Sequence, residues 1–363
     1  MKLSIICTIL LATGFCSESF AQNRTGFAGA PYVKYSPETG WAGGLTGLYY
    51  FRFSNDTMDR PSDISAGVMY SQFHQYSIGV NTDEYYAHDD YHLTAGLHYQ
   101  QIPLDFFGVG NYVPNERIDN YTPLRRGGEF VFTKNLIASE QGEGFDAGIQ
   151  GEFRNDEIRK SESGGIISLS AVPGTHGGFS NGLGAVAHYD TRDNKYSTRR
   201  GNYDDVEAIF YGRSIGSDYT FSRYTVDARR FIPVDLLPIG AQTLAFQAYG
   251  VVAQGNEPFY LMSGLGGDSK LRGYYLLRFR DNDLALIQGE YRFPVWWRFG
   301  GVVFGGAGEV AHELSGFSIG GLHPSYGVGL RVLVVPKERI NARVDYGIGQ
   351  DSKQLYFSIL EAF

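Results

Sequence analysis

Three short stretches hold residue types that could do chemistry. The first is "GLGGDSKLRGYYLLRFRDND", residues 264–283, where Arg272 stands immediately before Gly273 and Tyr274. A guanidinium carries five donors in a fixed fork and suits a bidentate carboxylate, so Arg272 is a docking group in search of an acid. The second is "GFSIG", residues 316–320, a Gly-x-Ser-x-Gly pattern with Ser318 as a nucleophile and His312 or His323 near it in sequence. That chemistry needs a strand–turn–helix setting, and in so glycine-rich a chain the pattern arises by chance. The third is "HDDYH", residues 88–92, which sets His88 and His92 four apart around two aspartates. On a turn this spacing reads as solvent-exposed hydrogen bonding rather than a metal site. No phosphate-cradling loop or zinc-ribbon spacing occurs. The expectation is a chain without catalytic residues, metal or cofactor, in which Ser318 hydrolysis is a remote alternative.

The elements that position these residues follow from composition and period. "MKLSIICTILLATGFCSESFAQ" has Lys2, an apolar run and small residues at Ser19 and Ala21, the layout of a secretory leader cleaved after Ala21. Both cysteines, Cys7 and Cys16, fall within it, so the exported chain is expected to lack disulfides. Lipidation of Cys16 is disfavoured by the bulky Phe15 before it. A net charge of −8 disfavours nucleic acid as a partner. Mean hydropathy is −0.22, and no later segment offers a transmembrane helix. Yet the sequence holds 26 Tyr, 25 Phe and 48 Gly. A membrane β-barrel reconciles these facts, because only one face of each strand must be apolar and its girdles are aromatic.

Period-two alternation supports that reading. Trp41, Leu45, Tyr49, Phe51 and Phe53 share one face, with Thr46 and Arg52 on the other. Ile287, Tyr291, Phe293 and Val295 oppose Gln288, Glu290 and Arg292. Tyr326, Val328, Leu330, Val332 and Val334 oppose Arg331, and Ala342, Val344, Tyr346 and Ile348 oppose Asn341, Arg343 and Asp345. An uncharged apolar face against a face of mixed charge predicts lipid outside and a wet lumen inside. A soluble sandwich or barrel would reverse the faces. Such runs give about 16 strands, hence one all-β domain over residues 22–363: a closed antiparallel transmembrane barrel with a long loop folded into the lumen. An even count puts both ends on the periplasmic side, with short turns such as "VPKER" and "PVWWR" there. The long loops, at 102–126, 156–181, 255–282 and 309–325, then face outward. Strands begin within about ten residues of the cleavage site, so no periplasmic domain is expected between them.

Several motifs in order then carry a resemblance. "YSPETGWAGG", "YDTRDNKYSTRRG" at 189–201, "LGGDSKLRGYYLLRFRD", "GEYRFPV" at 289–295, "FGGAG" at 304–308 and the final "LEAF" together resemble the superfamily of outer-membrane insertases and two-partner translocators. This is the BamA/TamA-like or bacterial surface antigen family, and the resemblance covers nearly the whole chain after the leader.

The resemblance implies a loop that folds into the barrel and docks Arg272 on acidic groups of the wall, with Glu290 as the partner and Gly273 and Tyr274 completing the loop tip. It implies a wall motif Phe-x-Asp-x-Gly on the next strand. Here that motif reads Phe304, Gly306 and Gly308, with glycine where the family has aspartate. Glu290 is therefore expected to hold Arg272 alone, or with help from Glu309, in a weaker dock. Asp190, Arg192 and Asp193 match a periplasmic turn that locks its own backbone. Phe357, Ile359 and Phe363, with Leu355, are expected to share the outer face of the last strand as a sorting signal interrupted by Glu361. The implied role is outer-membrane biogenesis, the insertion or translocation of protein or lipid past a weak lateral seam. Its partners would be outer-membrane lipid and an unidentified periplasmic partner or client. The alternative is a passive or plugged channel.

Overall fold

The computed structural model describes residues 25–363 apart from 37–38, 54–59, 115, 117–118, 140–141, 166, 168–171 and 337. The leader expected over residues 1–21 lies outside the described residues. Five strands open the fold: β1 (Thr25–Ser36), β2 (Gly40–Phe51), β3 (Ser62–Ser71), β4 (Tyr76–Tyr86) and β5 (Tyr91–Gln101). A three-residue strand β6 (Leu104–Phe106) precedes two long ones, β7 (Asp119–Ser139) and β8 (Gly142–Ser161). Then come β9 (Gly177–Asp190), β10 (Gly201–Tyr211), β11 (Phe221–Val234) and β12 (Gln242–Gly255). A small hairpin of β13 (Ser263–Leu265) and β14 (Phe279–Asp281) stands apart from the main sheet. The last five are β15 (Asp283–Trp296), β16 (Phe299–Ala311), β17 (His323–Val335), β18 (Ile340–Gly349) and β19 (Ser352–Ile359).

Without the short β6, β13 and β14, sixteen strands pair antiparallel in chain order, β5 with β7 and β12 with β15. The order returns on itself where β19 meets β1, with Tyr35 opposite Phe357. Among the described residues, the strand number expected from alternation is thus the one observed. No helix among the described residues is long and apolar enough to cross a membrane, and strands do the crossing.

Alternation sorts the two faces as the sequence implies. On β15, Ile287 is 64% exposed and Val295 61%, while Glu290 between them is 2% exposed. The exposed row is the lipid face and the buried charged row the lumen. The strands run longer than the sequence suggests. β7 and β8 have 21 and 20 residues, about twice what a membrane crossing needs. They consume much of the loops expected at 102–126 and 156–181. The longest connections left on that side are 107–118, 162–176, 256–282 and 312–322.

Apolar packing lies under those connections, not in the membrane band. One cluster joins Phe106, Tyr121, Ile167, Tyr211, Phe259 and Tyr260, drawn from two loops and three strands. A second surrounds the inserted hairpin with Leu265, Leu271, Tyr274, Phe279, Leu284 and Val310. Each fully buried Phe or Leu contributes roughly 1.5–3 kcal/mol. These clusters therefore fix the outward loops as a cap and direct residues 266–278 down into the lumen.

Candidate functional site

Four strands build the floor on which the inserted loop rests. In the register of β15–β16–β17–β18, Glu290 lies opposite Phe304, Phe304 opposite Gly327, and Gly327 opposite Gly347. All four occupy one row on the inner face. Their side chains suit a descending arginine in turn: a carboxylate, a ring, then two glycines that leave room.

Arg272 lies across this row and is 1% exposed. One of its terminal nitrogens (Nη2) donates to Glu290 Oε1. The other (Nη1) donates to Asp345 Oδ2 at 2.8 Å. The plane of the guanidinium stacks on Phe304, 3.6 Å from the ring centre, a cation–π contact made stronger by desolvation. Phe304 leans over Gly327, where a Cβ would meet its ring at 2.4 Å. The loop backbone is held as well. Ser325 Oγ donates to the Arg272 carbonyl, and Tyr356 Oη accepts from Gly273 N at 3.2 Å and donates to Tyr274 O at 2.6 Å. Tyr274 Oη donates to Pro324 O and accepts from Gln350 N, both at 2.8 Å. Gly273 has φ +116°, a backbone conformation that favours glycine.

The ion pairs extend beyond Arg272. Arg292 Nε meets Glu290 Oε2 at 2.7 Å. Arg331 meets Asp345 Oδ1 at 2.5 Å and Glu361 Oε2 at 2.8 Å. Arg343 meets Asp345 Oδ2 at 2.6 Å and Asp268 Oδ2 at 3.0 Å. Four guanidiniums thus face four carboxylates. Charge balance is what makes such a buried network tolerable, since an unpaired member would cost several kcal/mol.

Three expectations need correction here. Arg272 has two acids rather than one. The aspartate missing at Gly306 is supplied from β18 by Asp345, so the dock is not reduced to a single pair. The space beside Gly306 is taken by Gln288, whose amide holds Ser269 O at 2.8 Å, and Gly308 admits Leu265 of the loop. Glu309 takes no part: it is buried beneath the 312–322 loop and accepts from Ser318 N at 3.0 Å. The third correction concerns the end of the chain. β19 stops at Ile359 because Leu360 adopts φ +73° and breaks the alternation. Glu361 therefore turns inward to Arg331 and Asn341, and Phe363 lies under Arg292, which donates to its main-chain oxygen at 3.0 Å. Phe363 does not share a face with Phe357 and Ile359.

The other singled-out residues have local partners. Ser318 Oγ accepts from Gly321 N at the start of a three-residue 3-10 turn, Ile319–Gly321. His323 stacks on Phe279 and bonds Asn111, while His312 faces Asp281 and Asn282. His92 bonds Asp83, and no group of three metal-ligating side chains occurs among the described residues. Arg192 grips Asp190 with its Nε and Nη2, the latter at 2.6 Å. Asp193 accepts from the amides of Arg199 and Arg200 and pairs with Arg339 at 2.6 Å.

Burial alone would raise the Asp193 carboxyl. Arg339 and the two amides outweigh it and hold it below the usual aspartate range. The sign follows: this contribution is complete above the unfolded-state value, near pH 4, and is lost as pH falls through the lower folded value. Protection of the Arg199 and Arg200 amides, corrected for intrinsic exchange, should drop on acidification below about pH 4. Asp193→Asn should remove that pH dependence. A pH-independent protection in the parent would show that Arg339 does not hold Asp193 in solution.

Comparison with known proteins decides the family. The Omp85 superfamily domain matches residues 59–363. The chain belongs to the Omp85 superfamily. Solved structures agree on the fold. BamA from Haemophilus ducreyi lacking POTRA domains 1–3 superposes with a TM-score of 0.62 at 12% identity, covering 93% of this chain and 70% of that one. CdiB from Acinetobacter baumannii and CdiB from Escherichia coli each give 0.61, at 11% and 12% identity. They cover 93% of this chain and 59% and 62% of theirs. This chain therefore spans about six to seven tenths of these relatives' lengths. No curated protein matches it. As an Omp85 barrel it is an outer-membrane protein, and the loop carrying Arg272 sits inside that barrel.

Asp345, Arg331, Arg343, Ser325 and Tyr356 were not singled out from the sequence as partners of the loop. The signal for the three charged ones was present, since alternation already put them on the inner face. The stretch Asp345-x-Gly347-x-Gly349 also repeats, on β18, the aspartate-and-glycine spacing absent from β16.

Proposed function

We propose that this Omp85 barrel has a non-enzymatic role in outer-membrane biogenesis, opening between β1 and β19 to insert or translocate protein or lipid, with a periplasmic partner or client. One observation carries the reading. β1 and β19 pair at a single position, Tyr35 with Phe357, whereas each other neighbouring pair of the sixteen strands is in register over eight or more. Each missing backbone pair forgoes about 0.5–1.5 kcal/mol, so this is the seam that parts first. Rings of Tyr35, Trp41 and Phe357 cover it, with centroids 5.3–6.4 Å apart. The docked loop and outer cap also fit this role better than a wide passive pore, because they occupy the path a solute would take.

Cysteines at positions 35 and 357 are directly opposed and can form a disulfide in an oxidising compartment. Cross-linking them should lower the outer-membrane level of client proteins by about as much as depleting the whole protein, and reductant should restore it. Quantitative proteomics of the outer membrane reads the result. An unchanged barrel and exported-protein complement under complete cross-linking would rule out a lateral opening here.

A further inference from the structure

The turn between β9 and β10, residues 191–200, does more than reverse the chain. β9 and β10 are the eighth and ninth strands of the ring and lie opposite the seam. The turn nevertheless contacts elements on both flanks of it. On one side Asp193 pairs with Arg339 at 2.6 Å, Asn194 Nδ2 donates to Glu338 O at 3.3 Å, and Asn341 Nδ2 donates to Ser197 Oγ at 3.4 Å. On the other side Lys195 Nζ reaches Asp83 of β4 at 3.5 Å. A segment rooted on one wall that touches both far walls must cross the mouth. By the asymmetry of loop lengths, this mouth is the periplasmic one.

The turn is internally organised. Asn194 Oδ1 accepts from the amides of Tyr196 and Ser197 at 2.9 and 2.7 Å, and Thr198 Oγ1 donates to Asn194 O at 2.7 Å. Such side-chain-to-backbone bonds keep the turn's shape whether or not it is docked. Its attachments are weak by comparison with the Arg272 dock. The Lys195 side chain is 51% exposed and that of Arg339 33%, against 1% for Arg272. Exposed pairs are screened by salt and contribute little each, whereas the buried network is screened hardly at all. The lumen is thus closed firmly from outside and lightly from the periplasm.

Asp83 also belongs to a cavity of about 340 Å³ on the inner wall, lined by polar groups that include Asp63, Ser65, Asn81, Thr94 and Glu129. We propose that the 191–200 turn is a releasable strap across the periplasmic mouth, held by the Asp193–Arg339 and Lys195–Asp83 pairs, whose departure widens the passage by which small solutes reach this open recess. The strap acts in this way whether or not the seam parts.

The test places a cysteine at Ser65 and measures its modification by uncharged N-ethylmaleimide in the purified barrel, with the chain lacking that cysteine as blank. In the Asp193→Asn/Lys195→Gln background the rate should rise at least about fivefold, the factor expected from losing two exposed ion pairs. Raising salt to about 0.5 M should speed labelling of the parent by a similar factor and leave the double variant unaffected. Arg339→Gln removes one attachment from the opposite side and should give an intermediate rate. Lys195→Gln is a surface change, and Asp193→Asn keeps the Oδ1 that accepts from the Arg199 and Arg200 amides, so the turn stays built; retention of the folded band on unheated gels confirms the barrel. Rates within about twofold of the parent in both backgrounds, with no salt effect, would overturn the strap.

Discussion

Replacing Arg272 with alanine should destabilise the barrel by about 3 kcal/mol and free the loop that carries it. Removing one member of a buried pair ordinarily costs about 3–5 kcal/mol, because the remaining charge stays desolvated. The cost here falls at the low end, since neither acid is stranded. Glu290 keeps Arg292, and Asp345 keeps Arg331 and Arg343. What is lost outright is the stacking on Phe304 and the fork that bridges two strands three apart in the ring. Arg272→Lys should recover only part of this. An ammonium keeps the charge but cannot span both carboxylates while lying flat on the ring. The folded band should disappear at a lower temperature, in the order parent, lysine, alanine. Limited proteolysis should cut within residues 255–282 of the alanine variant and spare the parent. If both backgrounds are cut alike, the loop is held by its apolar hairpin alone and Arg272 has no part in the dock.

Much of this arrangement is legible in the sequence, and the reason it is incomplete is physical. Alternation is a local property, so it places Glu290, Arg331, Arg343 and Asp345 on the inner face without any knowledge of the fold. Which inner residues share a row depends on register. Register is set by loops such as 312–322 and by breaks such as the one between Leu333 and Val335, which no local pattern encodes. A motif-based expectation looked for the second acid on β16, at Gly306, and the register delivered it from β18. Leu360 shows the other limit. A leucine at φ +73° is disfavoured locally, and the hold of Arg331 and Asn341 on Glu361, of Arg292 on Phe363 and of Asn341 O on the Leu360 amide offsets it. The inward turn of the last residues is therefore a tertiary effect. The pairing of Arg192 with Asp190, two residues apart, was readable because it is local. Asp193 with Arg339, 146 residues away, was not.

Gly347→Val should have nearly the effect of removing Arg272, although it touches no charge. A Cβ at Gly347 would lie 2.6 Å from Gly273 N, 2.8 Å from Arg272 C and 2.9 Å from Arg272 O. All three are main-chain atoms, so no side chain can rotate away and the loop tip itself must lift. Its neighbour Gly349 sits against the Tyr274 ring in the same manner, a Cβ there meeting the ring at 2.4 Å. Overpacking of a buried contact costs about 1–3 kcal/mol when the surroundings relax. Relaxation here means pulling Arg272 off Glu290 and Asp345, so the cost should reach the upper end of that range. Combining the two changes distinguishes a single dock from a sum of contacts. If Arg272, Gly273 and Tyr274 seat as one unit, Arg272→Ala/Gly347→Val should be hardly less stable than the worse single variant, a coupling of about 1–3 kcal/mol. Strict additivity would mean that the arginine and the glycine strip act separately. The loop would then rest on two independent supports, either of which suffices to keep it in the lumen.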